Sequence, residues 1–485
     1  MADDNTDDDL HSIAVLFTYT FGIASMSMGH VFASTGPLMG SILLYLLSAS
    51  NLHASALLAK CMALAPPSVR TYGDLGLHAC GPVGQYVILI SESLSCLLTP
   101  IAFLVLGGTE LLPSIAQYIH APWLTFSSTA WILLFATAML PIVFIPSLKE
   151  TFALCVLGGL ATFFADSAAL YVNLTLHPMA PRETAVTFSG VLSAYGTIMF
   201  AFGTALLVPP LHRQRRDKDV GRFVLVLSAT LIAITCLYIG IGSVTYFQLG
   251  CTAPATLLES MPRGLTKTLA TSAMLLHIMV AYPVILTPTL FVLERKVFGK
   301  DADAPGVLVG EDTTALLGHS APSSPVRDDE NDITSTHVYK PVNEKEAMVS
   351  HDDVGFTKRE LACRVVLRTL IVAVQCFVAI MLQSSFADIL SLIGATTVTL
   401  PCMIMPCVCY LRMVPHDGSY LSGCTRAFAY FVIFSSALLS VYATVHAIGN
   451  IQTNMATFHL FAPVHHREFV NGAEKFPFCQ VGERN

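Results

Sequence analysis

The sequence predicts an all-α, multi-pass membrane protein of about eleven transmembrane helices. Three observations carry that prediction. Of 485 residues, 54% are hydrophobic and only 12% charged, and with a mean hydropathy of +0.64 the chain holds more apolar surface than a water-soluble core can hide. The apolar residues are gathered into runs, most of them reaching the roughly 20 residues a helix needs to cross a bilayer. Most of the 26 Lys and Arg residues fall in alternate connecting loops, as the positive-inside rule requires of a polytopic chain.

The spans fall near residues 11–34, 37–61, 83–108, 129–147, 150–173, 188–209, 223–249, 266–293, 362–382, 386–411 and 426–448. They divide the chain into an acidic cytosolic tail (1–10), eight spans (11–293), a cytosolic loop (294–361), three spans (362–448) and an extracytosolic tail (449–485). The opening MADDNTDDD is acidic where a secretory signal would be basic, and no small-residue cleavage site follows it, so the first span is expected to stay. The basic residues Arg70, Lys149, Arg213, Arg215, Arg216, Lys218, Arg222, Arg295, Lys296, Lys358, Arg359, Arg412 and Arg426 share one side when the N-terminus is cytosolic. An odd number of spans then puts the C-terminus outside, and tags on the two ends are expected to be accessible from opposite faces of intact cells. Both tags on one side would break the eleven-span scheme. Trp123 and Trp131 flank the expected outer mouth of span four, where an interfacial aromatic belt belongs.

Several function classes are excluded or left without support. The net charge of −7 arises from acidic residues in the N-terminal tail and one loop, and no basic patch with interleaved aromatics appears, so no nucleic-acid partner is expected. No Walker-type phosphate loop occurs, which removes direct ATP drive. No catalytic set and no metal-ligand spacing emerges among the His, Cys, Asp and Ser residues, and no cofactor is expected. His459, His465 and His466 lack a Cys or carboxylate at ligand spacing and are read as solvated tail. Most of the 13 cysteines lie in or beside spans, where a thiol acts as a small hydrophobe. Cys251 and Cys479 both fall on the outer side, where a disulfide can persist, and a bridge between them is a candidate.

Between Glu294 and Lys358 the hydropathy collapses into an Asp-, Ser-, Thr- and Pro-rich stretch that cannot bury a core, expected to be a disordered cytosolic loop. Ser324 before Pro325, with Asp328, Asp329 and Glu330 nearby, is a candidate phosphorylation switch that would recruit a phosphorylation-dependent cytosolic partner to the 294–358 loop. A plain solvated spacer is the alternative.

Carriers place substrate near the midplane, where paired helices unwind and expose backbone dipoles. Span one crowds Gly22, Ala24, Ser25, Ser27 and Gly29 into its middle, and span six carries Gly196, Gly203 and Thr204 there with Pro209 and Pro210 at its inner end. Spans one and six are equivalent if spans one to five and six to ten form two inverted repeats. Small residues also serve close helix packing, so both readings stand at this point.

The order of short motifs resembles the amino acid/auxin permease family. Gly22, Ile23 and Ala24, then His30, Val31, Phe32 and Gly36, resemble its span-one pattern, and Tyr72, Gly73, Asp74, Leu75 and Gly76, followed by Gly81 and Gly84, resemble its next loop. Phe200, Ala201, Phe202, Gly203, Pro209 and the basic stretch Arg213 to Arg216 are similar to its span six. Gly242 to Tyr246, Phe247 and Gly250, then Tyr282-Pro283 with Pro288, and Ser391 to Thr396 with Pro406, Tyr410 and Leu411 are similar to its spans seven, eight and ten. The chain departs from the pattern at Ala24, at Gly29 where a proline is usual, and at Leu211 and His212 where an acidic residue is common.

The resemblance implies a LeuT-like 5+5 inverted repeat with broken helices 1 and 6 plus one extra helix. It implies a secondary active carrier of amino acids, small and neutral, coupled to a proton or sodium gradient by alternating access. A non-transporting sensor of the same fold, or a carrier of another small organic solute, is the alternative. Unwound backbone at Gly22, Ile23, Ala24 and Ser25 would give N–H donors to the substrate carboxylate. Phe200, Ala201 and Phe202 beside Gly203 would offer carbonyls to the ammonium, with the Phe202 ring bounding the side-chain pocket. Ionisable and polar groups inside spans mark ion pathways because burying a charge there costs a few kcal/mol. Glu92, His30 and Thr287 are the candidates for ion or proton coupling, while Asp166 in span five and His277 in span eight are further intramembrane ionisable residues. The plasma membrane is the default location, with a vacuolar or lysosomal membrane open.

Overall fold

In a computed structural model, residues 2–119, 126–144, 151–176, 183–215, 219–298, 358–415, 418–456 and 478–479 are described. Helix satisfies every backbone polar group within its own segment, and that is what hydrocarbon demands of a spanning chain. Among the described residues eight helices are long and apolar enough to cross a bilayer, or up to ten if each of two bent pairs is one span.

The first pair consists of α1 (Ala2–Thr20) followed by the short α2 (Ile23–Met26) and α3 (Met28–Thr35), bent by 49° at the break. Helix α4 (Pro37–Leu64) starts cleanly because Gly36 takes a left-handed φ of 73° and Pro37 supplies the first-turn residue that has no N–H to satisfy. Helix α5 (Tyr72–Leu106) begins well before the expected start of span three. Its start is a capping box in which the Asp74 N–H donates to the Thr71 hydroxyl (3.1 Å) and the Thr71 N–H to the Asp74 carboxylate (3.0 Å). At Gly81 the chain turns through φ 70°, and the two halves close until a Cβ on Gly76 would lie 2.8 Å from the Gly84 carbonyl oxygen. The Tyr-Gly-Asp-Leu-Gly cluster is therefore a capped entry helix folded tightly on the span it precedes.

A π turn (Gly107–Leu111) leads into α6 (Leu112–Ile119), and α7 (Ser128–Val143) is a shorter apolar helix at the place of span four. Trp131 there is 5% exposed, with its ring edge-on to Phe126, so it packs inward instead of joining an interfacial belt. Trp123 lies outside the described residues. Then come α8 (Thr151–Leu176), α9 (Phe188–Ala201), a 3-10 stretch (Gly203–Leu207), α10 (Val208–Gln214), α11 (Val220–Leu249), α12 (Leu265–Phe298) and α13 (Lys358–Met381). The second bent pair, at 41°, is span ten, running from α14 (Phe386–Ile393) through two π turns carrying Pro401 to α15 (Met405–Met413), and α16 (Tyr420–Ala456) closes the order. That bend is absent from the sequence expectations.

Helix α9 crosses α14 backbone to backbone. A Cβ on Gly394 would collide with the Gly196 carbonyl, and one on Gly196 with Ser391. Gly196 is thus a packing glycine within intact helix, and the interruption of span six lies further on, at Phe202.

Both ends of the bundle are tied. At the end where the chain begins, Asp9 accepts from Arg215 (2.7 Å) and Arg222 (2.8 Å), so the acidic segment is helical and anchored by two ion pairs. Arg215 is 3% exposed and its guanidinium lies over the Phe223 ring. Glu294 of α12 binds Arg364 (3.0 Å) and Arg368 (2.7 Å) of α13, and Arg368 also donates to the Val143 carbonyl. At the opposite end Cys251 and Cys479 form a disulfide. Beside it the Phe478 carbonyl accepts from Ala185 N–H (2.8 Å), next to a β-bridge between Thr184 and Cys479.

The 294–358 loop with Ser324, and the tail histidines, fall almost wholly outside the described residues. Replacing residues 300–357 by a short Gly/Ser linker is expected to leave the apparent substrate affinity unchanged, because that composition cannot build a core or a pathway. Concentration-dependent uptake by the shortened protein checks this, and a collapse in affinity would put the loop in the site.

Candidate substrate and cation site

The helical ladder of span one fails between Thr20 and Ser27. Gly22 N–H reaches back only to the Thr20 carbonyl (3.2 Å), and its own φ and ψ are −131° and −143°. Ser25 N–H and Ser25 hydroxyl both donate to the Gly22 carbonyl, at 3.0 and 2.7 Å, and Ser27 N–H to that of Ala24. The non-helical residues before α2 are Phe21 and Gly22; of the four residues expected to be unwound, Gly22 caps α2 while Ile23, Ala24 and Ser25 form its first turn. Ile23 and Ala24 open α2, so their N–H groups belong to a first turn, whose donors a helix cannot satisfy from within.

Span six is interrupted where α9 ends. Phe202 leaves the helical region at φ −105° and ψ 48°, and the chain continues as 3-10 helix from Gly203. Its carbonyl is not left open. Asn51 of α4, fully buried, donates to the Phe202 carbonyl at 2.9 Å and accepts from the Thr204 hydroxyl at 2.6 Å. The Phe202 ring is completely buried and meets Tyr238 of α11 edge-on, with ring centroids 5.8 Å apart. Phe200 is half-buried at the edge of the core and Ala201 is buried.

The two breaks meet. Tyr19, just before the break in span one, lies against Gly203, just after the one in span six, where a Cβ would sit 3.3 Å from the Tyr19 ring. Tyr238 stands between them, stacking on Phe21 (5.9 Å) and donating its hydroxyl to the Thr20 carbonyl (2.6 Å), one of those stranded where α1 ends.

The coupling candidates do not gather. Glu92 on α5 is within electrostatic reach of Tyr19, Tyr72, Cys96 and Cys402, so it faces the start of the break and span ten. His30 lies on α3 with its ring edge-on to Phe478 at 5.2 Å. The Thr287 hydroxyl donates to the Pro283 carbonyl one turn back (2.6 Å) and lies about 15 Å along α12 from His277. The groups beside the break are His277 and Asp166. A Cβ on Gly22 would lie 3.4 Å from His277 Nε2, and Asp166 of α8 faces Ser25. Asn51 and Tyr238 were not singled out in the sequence. Their signal was a polar side chain in an otherwise apolar span, but nothing local tells a packing hydroxyl or amide from one that holds a broken helix.

Paired interruptions in spans one and six, meeting within a helical bundle, define a helical membrane protein of LeuT-like fold. The chain belongs to the transmembrane amino acid transporter protein family, whose profile matches residues 9–449. It is 22% identical over 59% of its length to amino acid transporter AVT3B of Arabidopsis thaliana, covering 71% of that protein. It is 25% identical over 48% of its length to vacuolar amino acid transporter 4 of Saccharomyces cerevisiae, covering 33% of it. Among solved structures the transporter MhsT in complex with L-phenylalanine superposes with a TM-score of 0.51 at 12% identity, over 90% of this chain and 98% of that one. The likeness is one of fold: a LeuT-like helical membrane protein.

Proposed function

We propose that the protein is a secondary active carrier of small neutral amino acids, driven by a proton or sodium gradient through alternating access, and not an enzyme. The observation that carries this reading is the meeting of the two breaks at Tyr19 and Gly203, with first-turn N–H groups at Ile23 and Ala24 on one side and the Phe202 carbonyl on the other. An amino acid presents a carboxylate and an ammonium together, and those backbone groups are complementary to the pair. The ion pair of Asp9 with Arg215 and Arg222 closes the inner end and would have to part for release to the cytosol. The name of the yeast relative, a vacuolar amino acid transporter, supports a vacuolar membrane as the place of action, with the plasma membrane as the alternative.

Purified protein in proteoliposomes, given labelled amino acids with an imposed pH or sodium gradient, tests the proposal. Accumulation of alanine, glycine or serine against their gradients is the expected result. Saturable binding with no flux would make the protein a sensor instead. Phe202→Ala is expected to change which amino acids compete for uptake, because it opens space beside Tyr238 and spares the backbone. An unchanged competition profile would remove that ring from the pocket.

A further inference from the structure

We propose that Asp166 is the residue that binds the coupling cation, and that the cation is a proton. This rests on the carrier reading above. Asp166 is 2% exposed, and neither carboxylate oxygen has a hydrogen-bond partner. The group set against it is the Ser25 hydroxyl in the middle of the span-one break, and that hydroxyl spends its proton on the Gly22 carbonyl. From α11 the titratable group facing it is Tyr238, whose hydroxyl is committed to Thr20. From α12 it is His277, but His277 packs on Gly158, eight residues and about 12 Å back along α8. No Lys or Arg pairs with Asp166 among the described residues.

An ionised carboxylate buried without a partner costs several kcal/mol, so Asp166 needs either a bound cation or its own proton in the closed arrangement seen here. A hard metal cation takes roughly six oxygen ligands, and one hydroxyl with one carboxylate falls well short of that. A proton needs only the acid itself. Protonated, Asp166 lets the Ser25 segment close on α8. Deprotonated, it draws water and holds that face of the break open. The proton binds as the O–H of the neutral acid on one side of the membrane and leaves to water on the other. Its gradient therefore biases the same segment that would hold the amino acid carboxylate.

The test uses full-length protein in proteoliposomes with labelled alanine and an internal pH dye. Asp166→Asn copies the shape of the neutral acid and is expected to move alanine down its own gradient without carrying a proton. A pH gradient should then produce no accumulation, leaving the inside and outside concentrations equal. Difference infrared spectra of the wild type should show a protonated-carboxyl band that disappears in this variant. Accumulation by Asp166→Asn under a pH gradient, loss of coupling in Glu92→Gln while Asp166→Asn keeps it, or wild-type accumulation that follows sodium at constant pH would each overturn the proposal. Wild-type protein that exchanges no amino acid at all would instead remove the carrier reading. Should Asp166→Asn fail to fold, Asp166→Glu and Ser25→Ala decide, since both are expected to move the pH midpoint of accumulation. Unmoved midpoints in both would sink the assignment.

Discussion

Asn51→Leu is expected to lower uptake by more than about tenfold in protein that still inserts. The asparagine side chain is completely buried and bonded at both ends, donating to the Phe202 carbonyl at 2.9 Å and accepting from the Thr204 hydroxyl at 2.6 Å. Leucine fills nearly the same volume but leaves both partners buried without a bond, at roughly 1–3 kcal/mol each. The penalty falls on the 3-10 stretch after Phe202, whose conformation holds span six interrupted, and each 1.4 kcal/mol against that conformation is about a tenfold loss in its population. Asn51→Asp keeps the acceptor for Thr204 and loses the donor to Phe202, so an intermediate defect is expected. Uptake normalised to surface protein separates the effect from misfolding. Normal rates in Asn51→Leu would mean that the interruption stands without its clamp.

The spans and the break in span one were legible because their signals are local. Hydropathy over a window reports burial in lipid, and a cluster such as Gly22, Ser25, Ser27 and Gly29 reports weak helix propensity wherever it stands. What the sequence misplaced depends on register between spans. Gly196 and Gly203 carry the same local signal in span six, yet one packs against Ser391 and Gly394 while the other follows the interruption, and only the neighbouring helix distinguishes them. Gly29, read as a substitute for a proline, is required by Thr245, whose methyl group would lie 2.5 Å from an added Cβ. Glu92, His30 and Thr287 lie apart on three different elements while Asp166 and His277 stand beside Ser25 and Gly22, for a related reason. Which face of α8 or α12 turns towards span one is set by packing across the bundle, and the sequence of either helix alone does not state it. Trp131 shows the same limit, since its position along the span suited an interface but its direction is inward.

Gly22→Val is expected to abolish uptake without abolishing insertion, and the structure supplies a different reason from backbone freedom. Gly22 has a φ of −131°, so no left-handed conformation is at stake. The constraint is steric. A Cβ at Gly22 would stand 3.4 Å from His277 Nε2, ordinary contact for an alanine, but the two further methyl groups of valine must enter the space the imidazole occupies. The ring cannot retreat freely, because its Nδ1 side faces the backbone of α8 at Gly158, so close that even a Cβ there would be 3.1 Å from Nδ1. Overpacking of this kind costs about 1–3 kcal/mol, and here it displaces the segment whose N–H groups meet the substrate. Gly22→Ala should therefore retain uptake while Gly22→Val loses it. Truncating the ring in the double variant Gly22→Val with His277→Ala should recover part of the activity, a coupling expected only of residues in contact. Inserted Gly22→Val protein with normal uptake would take span one out of the site, and a double variant no better than the single would show that His277 is not what valine strikes.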